Sequence, residues 1–172
     1  SDPKDDNEEH ASTAPEYTNI SKDYKINLAF HQVTSMDGNA TLAQMVADAQ
    51  GVNTISPTWF SVTDNNGTIS SLASADYVNQ AHAMGMEVWG LIDNFNSGTD
   101  NLTFLSSTAA RANIIQQLMT QAASVGLDGI NLDFESITEE QAPHYIQFVR
   151  ELSIACRNQG IVFSIDDPVP TY

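Results

Sequence analysis

Basic residues are scarce in this chain. Only 6 of its 172 residues are Lys or Arg, against 22 Asp and Glu, and the formal net charge at pH 7 is −16. Proteins neutralise the phosphates of nucleic acids and anionic membranes with basic patches. The composition therefore argues against nucleic acid and membrane as partners, and an acidic surface suits a neutral ligand better than an anionic one.

Cysteine and long apolar runs are scarce as well. Cys156 is the only cysteine, so no internal disulfide can form, and its apolar helical neighbours predict a buried thiol. No stretch approaches 18 consecutive apolar residues, so no transmembrane helix is predicted. An apolar signal segment is also missing, because residues 1–6 are polar and charged. This opening indicates a mature or trimmed start.

The character of the sequence changes at residue 25. Residues 1–24 are polar and acidic without periodicity, which is typical of a flexible lead-in or linker. From 25 to 172, short apolar runs alternate with helically spaced apolar residues. The predicted strands are 26–30, 52–56, 87–92, 129–134 and 161–165. The predicted helical faces comprise Leu42, Met45, Val46 and Ala49, then Tyr77, Val78 and Ala81, then Ile114, Ile115, Leu118, Met119 and Ala122, and last Tyr145, Phe148, Val149 and Leu152.

Turn residues separate these elements. Gly85, Gly126 and Gly160 each follow a predicted helix, where a left-handed residue commonly ends it. Thr138 and Gln141 form a capping box before the last helix. Short connections between alternating strands and helices indicate parallel strands joined by right-handed crossovers.

Parallel strands of this kind belong either to a doubly wound sheet or to a barrel. No Gly-rich phosphate loop follows the first strand, where 31–34 reads His-Gln-Val-Thr, so a nucleotide-binding sheet is disfavoured. The units recur about every 34 residues, and eight of them would need roughly 270 residues, which is typical of a TIM barrel. We therefore predict an α/β fold, a (β/α)8 TIM barrel of which 25–172 supplies the N-terminal half with about five strands and four helices.

The fourth predicted strand carries an unusual row of polar side chains. Residues 128–135 read Asp-Gly-Ile-Asn-Leu-Asp-Phe-Glu. Alternation along a strand places Asn131, Asp133 and Glu135 on one face, inside the barrel, with Leu132 and Phe134 on the helix side. Unpartnered buried carboxylates are costly, so folding alone explains the row poorly. The row ends at the rim where barrel enzymes build their active sites.

Two of these side chains are candidates for acid–base work. Carboxyls two residues apart disfavour each other's ionised form, so one is expected to keep its proton beside the other's anion. Glu135 has the longer side chain and lies nearer the rim, which favours it as the proton donor. Asp133 is the deeper, orienting anion.

The segment 128–135 resembles the D-G-x-D-x-D-x-E signature of family 18 glycoside hydrolases, the chitinase family. The resemblance extends through 26–33, 52–62 and 88–94, and it is to the bacterial branch of spore-cortex and peptidoglycan N-acetylglucosaminidases. It implies hydrolysis of β-1,4-linked N-acetylglucosamine glycans, of the chitin or peptidoglycan type, without a cofactor. It also implies a secreted, cell-envelope or spore location and chitin binding.

The resemblance further implies substrate-assisted retention. Glu135 would protonate the glycosidic oxygen, the substrate's own 2-acetamido carbonyl would be the nucleophile, and Asp133 would stabilise the oxazolinium ion. Asn131 joins them in the catalytic group, and Asp128 is assigned to substrate binding. Asn131 stands where the wider family usually has Asp, although this branch often has Asn. Since an amide cannot take up that proton, the pH profile is expected to differ.

Further candidate sugar ligands lie at the carboxyl ends of predicted strands: His31, Trp59, Phe60, Asp93, Asn94, Asp166 and Asp167. The two aromatic side chains either stack on sugar rings or pack beneath a loop. The acidic and amide side chains either bind sugar hydroxyls or cap the following helices.

Two other functions stay open at this point. One is a non-catalytic carbohydrate-binding protein on the same fold, although such relatives usually lose the acid that Glu135 retains. The other is a metal-dependent barrel hydrolase using Asp133, Glu135 and Asp166 or Asp167 with Mg²⁺ or Ca²⁺. No His cluster supports zinc, and no metal is predicted. The family's Tyr and Trp on the sixth and eighth strands are missing here, so the rest of the barrel is expected elsewhere and this piece alone is predicted to be weakly active or inactive.

Overall fold

The computed structural model describes residues 25–166. The predicted lead-in at 1–24 and the residues 167–172, including Asp167, lie outside the described residues. Within 25–166 the strands are β1 (Leu28–His31), β2 (Thr54–Pro57), β3 (Phe60–Val62), β4 (Ile69–Ser71), β5 (Glu87–Asp93), β6 (Gly129–Asp133) and β7 (Val162–Ile165). The helices are α1 (Leu42–Asp48), α2 (Ala75–Ala83), α3 (Asn101–Ser106), α4 (Thr108–Val125) and α5 (Ala142–Gln159), and a 3₁₀ helix (Met36–Thr41) precedes α1.

Five of these strands form a parallel sheet in chain order. β1 pairs with β2, β2 with β5, β5 with β6, and β6 with β7. β3 continues the line of β2, because β2 pairs with the start of β5 at Glu87 and β3 pairs with its end at Ile92. A doubly wound sheet reverses its strand order and carries helices on both faces. The unreversed order found here is that of a barrel.

The helices make one layer against one face of this sheet. α2 contacts β5 and α5 contacts β7, while α4 packs between α2 and α5. The apolar core lies between that layer and alternate strand residues, among them Ile55, Val88, Ile92, Ile130 and Leu132, each fully buried. Burial of these side chains from water is the main free energy that holds the helices on the sheet.

The predicted strands and helices are confirmed, with ends that differ by a few residues. The helix-ending glycines Gly85, Gly126 and Gly160 have φ of 77°, 79° and 75°, the left-handed conformation expected of them. The two hydrogen bonds of the predicted capping box also form, but the helix itself begins at Ala142, with Gln141 as an N-cap whose side chain makes no capping bond. The Gln141 backbone N–H donates to Thr138 Oγ1 at 3.3 Å, and the Thr138 backbone N–H donates to Gln141 Oε1 at 3.1 Å.

The β3–β4 hairpin and α3 were not predicted. The hairpin turn is built by Asp64, whose Oδ1 accepts from the backbone N–H groups of Asn66 and Thr68 at 2.9 and 3.0 Å. Gly67 has φ of 83°, and a Cβ at this position would collide with the Ala110 carbonyl oxygen. The sequence signal was present, because Asn-Gly between two short apolar runs is typical of a hairpin.

The buried side chain of Arg111 connects helices α3, α4 and α5. Arg111 on α4 donates from Nε to Glu151 Oε1 on α5 at 3.0 Å, and from Nη1 to the Leu105 carbonyl of α3 at 2.8 Å. Cys156 on α5 is fully buried, and burial raises the pKa of its thiol to about 12. The predicted buried thiol is therefore confirmed.

Candidate active site

The side chains of β6 alternate between the core and the opposite face of the sheet. Ile130, Leu132 and Phe134 belong to the core under the helices. The Asn131 amide instead donates to Ser56 Oγ of β2 at 3.2 Å, across the intervening strand β5. The Asn131 amide oxygen is buried and has no hydrogen-bond partner within residues 25–166. The face opposite the helices is the inside of a barrel, so the predicted orientation of this row is confirmed for Asn131.

Exposure rises along this face toward the carboxyl end of β6. Asn131 is 1% exposed and Asp133, the last residue of the strand, is 8% exposed. Glu135 follows two residues later and is exposed to solvent. A buried carboxyl therefore lies next to an accessible one at the end of the parallel strands where barrel enzymes work.

Phe134 anchors the strand end between these two carboxyls. Its ring stacks on Phe148 of α5 with centroids 5.4 Å apart and planes 1° apart, and it meets Phe104 of α3 edge-on at 5.9 Å. Phe134 is 2% exposed. Because neighbouring side chains on a strand point to opposite faces, Asp133, the last residue of β6, points away from the helices.

The Glu135 backbone is held from the neighbouring strand. Asn94, directly after β5, accepts the Glu135 N–H at Oδ1 and donates from Nδ2 to the Glu135 carbonyl oxygen, both at 2.9 Å. From the sequence, Asn94 was expected to be a sugar ligand or a helix cap. The helix after it, α3, is capped by Asp100 instead, whose carboxylate accepts the Thr103 N–H.

Asp93 lies beside the catalytic candidates. It pairs in register with Asp133, and its Oδ1 accepts from Ser61 Oγ at 2.7 Å and from the Phe95 N–H at 3.2 Å. Asp93 lines a cleft of about 410 Å³ together with Ser61 and Phe95. Phe95 is 55% exposed. It was not among the predicted site residues, because a lone Phe in a polar loop carries no periodic signal.

The other predicted rim residues are mostly bound within the protein. Trp59 and Phe60 are each 1% exposed, which corresponds to the packing alternative, and the Trp59 indole N–H donates to Asn39 Oδ1 at 2.8 Å. His31 is 5% exposed; its two ring nitrogens lie 2.6 Å from Tyr77 Oη and 2.7 Å from Thr41 Oγ1. Burial lowers the pKa of His31 and raises that of Tyr77 above its usual range.

Asp128, which was predicted to bind substrate, makes its observed contacts within the protein. Asp128 precedes β6, at the amino ends of the strands and thus opposite the candidate acid. Its Oδ2 lies 2.7 Å from His82 Nε2 and accepts the Val88 N–H at 2.8 Å. Asp128 therefore joins the end of α2 and the start of β5 to the start of β6. The motif position suggested a ligand, but a strand separates it from the rim.

Asp166 is exposed and follows β7 directly, on the same rim as Glu135. Its backbone N–H donates to the Leu132 carbonyl at 2.8 Å, which keeps β7 in line with β6 to the end. In the part of the chain from 25 to 166, no three His, Cys, Asp or Glu side chains are grouped to hold a metal ion. None of the helices described there has both the length and the apolar character that a membrane crossing requires.

Comparison with known proteins gives partial matches. A chitinase from Chromobacterium violaceum aligns with 83% of this chain and 45% of its own length, with a TM-score of 0.66 and 18% identity. The spore cortex-lytic enzyme SleL of Bacillus cereus aligns with 81% of the chain and 34% of its own length, with a TM-score of 0.67 and 18% identity. The uncharacterized glycosylase YvbX of Bacillus subtilis is 25% identical over 111 residues, 61% of this chain and 32% of its own length. No protein-family model matches the chain.

The chain thus spans less than half the length of each of these proteins. The likeness to these solved structures shows that the chain has the fold of part of a (β/α)8 TIM barrel.

Proposed function

We propose that the protein to which this chain belongs is a glycoside hydrolase of the family 18 type. Its substrate is a β-1,4-linked glycan that contains N-acetylglucosamine, of the chitin or peptidoglycan kind, and residues 25–172 form the N-terminal half of its catalytic barrel. One observation carries the proposal: a buried Asp133 and an exposed Glu135 follow each other at the carboxyl end of β6. The chitinase and cortex-lytic neighbours support the same class of chemistry.

The proposed reaction uses one enzyme acid and a nucleophile from the substrate. Glu135 donates its proton to the glycosidic oxygen while the bond from that oxygen to the anomeric carbon breaks. The carbonyl oxygen of the substrate's 2-acetamido group attacks the anomeric carbon and closes an oxazolinium ion. Asp133, as the anion, orients the acetamido N–H and stabilises the positive charge. Water that loses a proton to Glu135 then opens the ring, with net retention of configuration.

The positions of the two carboxyls suit these different roles. An exposed Glu135 can reach a bound glycan and exchange its proton with water between the two steps. Asp133 is 8% exposed, and an anion held away from water interacts more strongly with a developing positive charge than a solvated one. The protein need not supply a nucleophile, because the acetamido group is already held at a high effective concentration.

The cleft beside Asp93 is the proposed site of a bound sugar residue. It opens at the end of the strands where Glu135 lies, and its walls combine hydroxyl, carboxylate and aromatic groups. Small sets of oriented polar groups with an aromatic surface are typical of ligand clefts. In this proposal Ser61 and Asp93 bind sugar hydroxyls and the exposed ring of Phe95 contacts a sugar face.

The location proposed for the protein is the cell envelope or the spore. The cortex-lytic enzyme of Bacillus cereus supports this, since peptidoglycan is the glycan that such a location offers. Chitin outside the cell is the alternative substrate, which the chitinase neighbours support.

The test compares two glutamates of the full-length protein. Wild-type protein is incubated with a chitooligosaccharide and with purified peptidoglycan, and the products are weighed by mass spectrometry. Glu135→Gln is expected to lower the rate on the preferred glycan by about 10²–10⁴-fold, the usual worth of a general acid. Glu139→Gln, at an exposed position four residues later, is the matched control and should keep the wild-type rate. Equal rates for both variants would exclude Glu135 as the acid.

A further inference from the structure

The backbone pairing that supports the candidate acid stops short of it. The ladder between β5 and β6 ends at Asp93 and Asp133, and Glu135 lies two residues beyond in the loop to α5. A parallel ladder holds a residue by bonding both its N–H and its C=O. Beyond the last pair those two groups of Glu135 need other partners to be held in place.

The Asn94 side chain supplies both partners. Its carboxamide presents an acceptor and a donor side by side, and they bond the N–H and the C=O of Glu135, each at 2.9 Å. The second Nδ2 hydrogen is used as well, in a 3.1 Å bond to Asn101 Oδ1. Asn94 is 9% exposed. All its donors are thus engaged inside the protein, so a role as a sugar ligand is disfavoured.

The same amide begins a chain of polar contacts that runs to the other end of the loop. Asn101 Nδ2 lies 3.4 Å from Gln141 Oε1, and that oxygen also accepts the Thr138 N–H at 3.1 Å. Gln141 directly precedes α5. The loop that carries Glu135 is therefore fastened at its start by Asn94 and near its end by Gln141.

The backbone directly after Glu135 needs such support. Ser136 has a φ of 58°, and no other non-glycine residue in the described part of the chain has a positive φ. A non-glycine residue in this region costs free energy and persists only where its surroundings determine it. The two hydrogen bonds from Asn94 fix the peptide groups of Glu135. They thereby set the direction in which the chain enters the turn at Ser136.

We propose that Asn94 is a positioning residue for the general acid. Its side-chain amide makes the two backbone hydrogen bonds that a neighbouring strand would otherwise make to Glu135. It thereby holds the Glu135 backbone so that the carboxyl reaches the glycosidic oxygen. This inference rests on the proposed function. Asp at position 94 would keep the acceptor for the Glu135 N–H. It would, however, place an oxygen where the Nδ2 donor stands, facing the Glu135 carbonyl and Asn101 Oδ1. The isosteric change therefore removes the hydrogen bond to the Glu135 carbonyl.

The experiment uses the full-length protein and two substrates of different leaving-group quality. One is a chitooligosaccharide, whose sugar leaving group must be protonated. The other is a 2,4-dinitrophenyl chitobioside, whose leaving group departs without an acid. Asn94→Asp is expected to lower kcat on the oligosaccharide by about 10²-fold, the usual effect of a misplaced catalytic group, with little change in KM. The activated substrate should lose far less.

Three further variants complete the test. Glu135→Gln should show the same bias, that is, a larger loss of kcat on the oligosaccharide than on the activated substrate. Asn79→Asp, which adds the same charge at an exposed position on α2, should match wild type on both substrates. Asn101→Ala removes one support of Asn94 but leaves its two bonds to Glu135, so a smaller bias of the same sign is expected. If Asn94→Asp does not fold, the bias of Asn101→Ala decides.

The outcomes separate this inference from the proposed function. A wild-type protein inactive on both substrates, or a Glu135→Gln variant without bias, would overturn the proposed function. With those two results as expected, wild-type rates in Asn94→Asp, or an equal loss on both substrates, would overturn the positioning role alone.

Discussion

Asp128 and Glu135 belong to one sequence motif but lie near opposite ends of β6. Six residues separate them, and the five residues of β6 alone span roughly 16 Å at the usual rise per residue. Asp128 is fixed by His82 and by the Val88 N–H among the amino ends of the strands. Glu135 is exposed, and Asn94 forms hydrogen bonds with its backbone N–H and C=O. The carboxyl of Asp128 therefore serves the structure, whereas that of Glu135 is available for chemistry.

The position of a carboxylate along a barrel strand therefore decides what it does. At the amino end the Asp128 carboxylate bonds the Val88 backbone N–H and the His82 ring of α2. Buried and partly buried polar groups in any fold need hydrogen-bond partners of this kind. At the carboxyl end Asp133 and Glu135 pass from buried to exposed within three residues. Variants at the two ends should accordingly separate loss of activity from loss of stability.

The largest effect is expected where the carboxyl end is anchored to the helices. Phe134→Ala removes a fully buried ring that contacts Phe104, Tyr145 and Phe148. The free energy of unfolding should fall by about 3–5 kcal/mol, as for other buried aromatic truncations. Chemical denaturation of the full-length protein measures this. A loss below about 0.5 kcal/mol, within the range of surface substitutions, would mean that the ring does not anchor the strand end.

The second prediction makes one substitution at both ends of the strand. Asp133→Asn should lower kcat by about 10²–10³-fold, because a preorganised charge next to the oxazolinium ion is lost. Asp128→Asn should keep kcat near the wild-type value. Steady-state rates on a chitooligosaccharide, measured with both variants of the full-length protein, make the comparison. Similar losses of kcat in the two variants would remove the distinction between the ends of β6.

The smallest effect concerns a carboxylate of the helix layer. Burial raises the pKa of Glu151, but hydrogen bonds from Arg111 and Gln147 and the charge of Arg111 outweigh it, so its pKa lies below the usual value. The stability from this pair is then present above the unfolded pKa of about 4.3 and is lost as pH falls through the lower folded pKa.

Glu151→Gln should remove that part of the acid dependence, worth under about 1 kcal/mol for a partly exposed pair. Melting temperatures of wild type and variant at neutral pH and below about pH 4 measure it, with Glu139→Gln as the exposed control. A difference between wild type and Glu151→Gln that stays the same at both pH values would contradict the assignment.

Much of the fold followed from the sequence because alternation and helical spacing record burial directly. Apolar residues at every second position identified β6 and the orientation of Asn131, and the left-handed glycines marked the helix ends. The candidate acid was found in the same way, since a polar residue that interrupts a buried pattern needs a reason. These signals are local, so one sequence is enough to read them.

The parts that were missed depend on contacts distant in sequence. Asn94 and Glu135 are separated by 41 positions, and nothing at either position indicates that a side chain pairs with the other's backbone. For Trp59 the sequence left stacking on a sugar and packing open, and only the fold shows that it packs in the core, where Asn39 accepts its indole N–H. Membership of one motif placed Asp128 with Glu135 in the predicted site, whereas the extended strand between them carries the two residues far apart.

The most direct test of the central claim is a crystal structure of the full-length Glu135→Gln variant with a bound chitooligosaccharide. We expect the side chain at position 135 to lie within hydrogen-bond distance of a glycosidic oxygen, about 2.6–3.2 Å, and the acetamido group of the sugar on the non-reducing side of that bond to contact Asp133. A glycan bound away from the carboxyl end of β6, with neither contact, would contradict it.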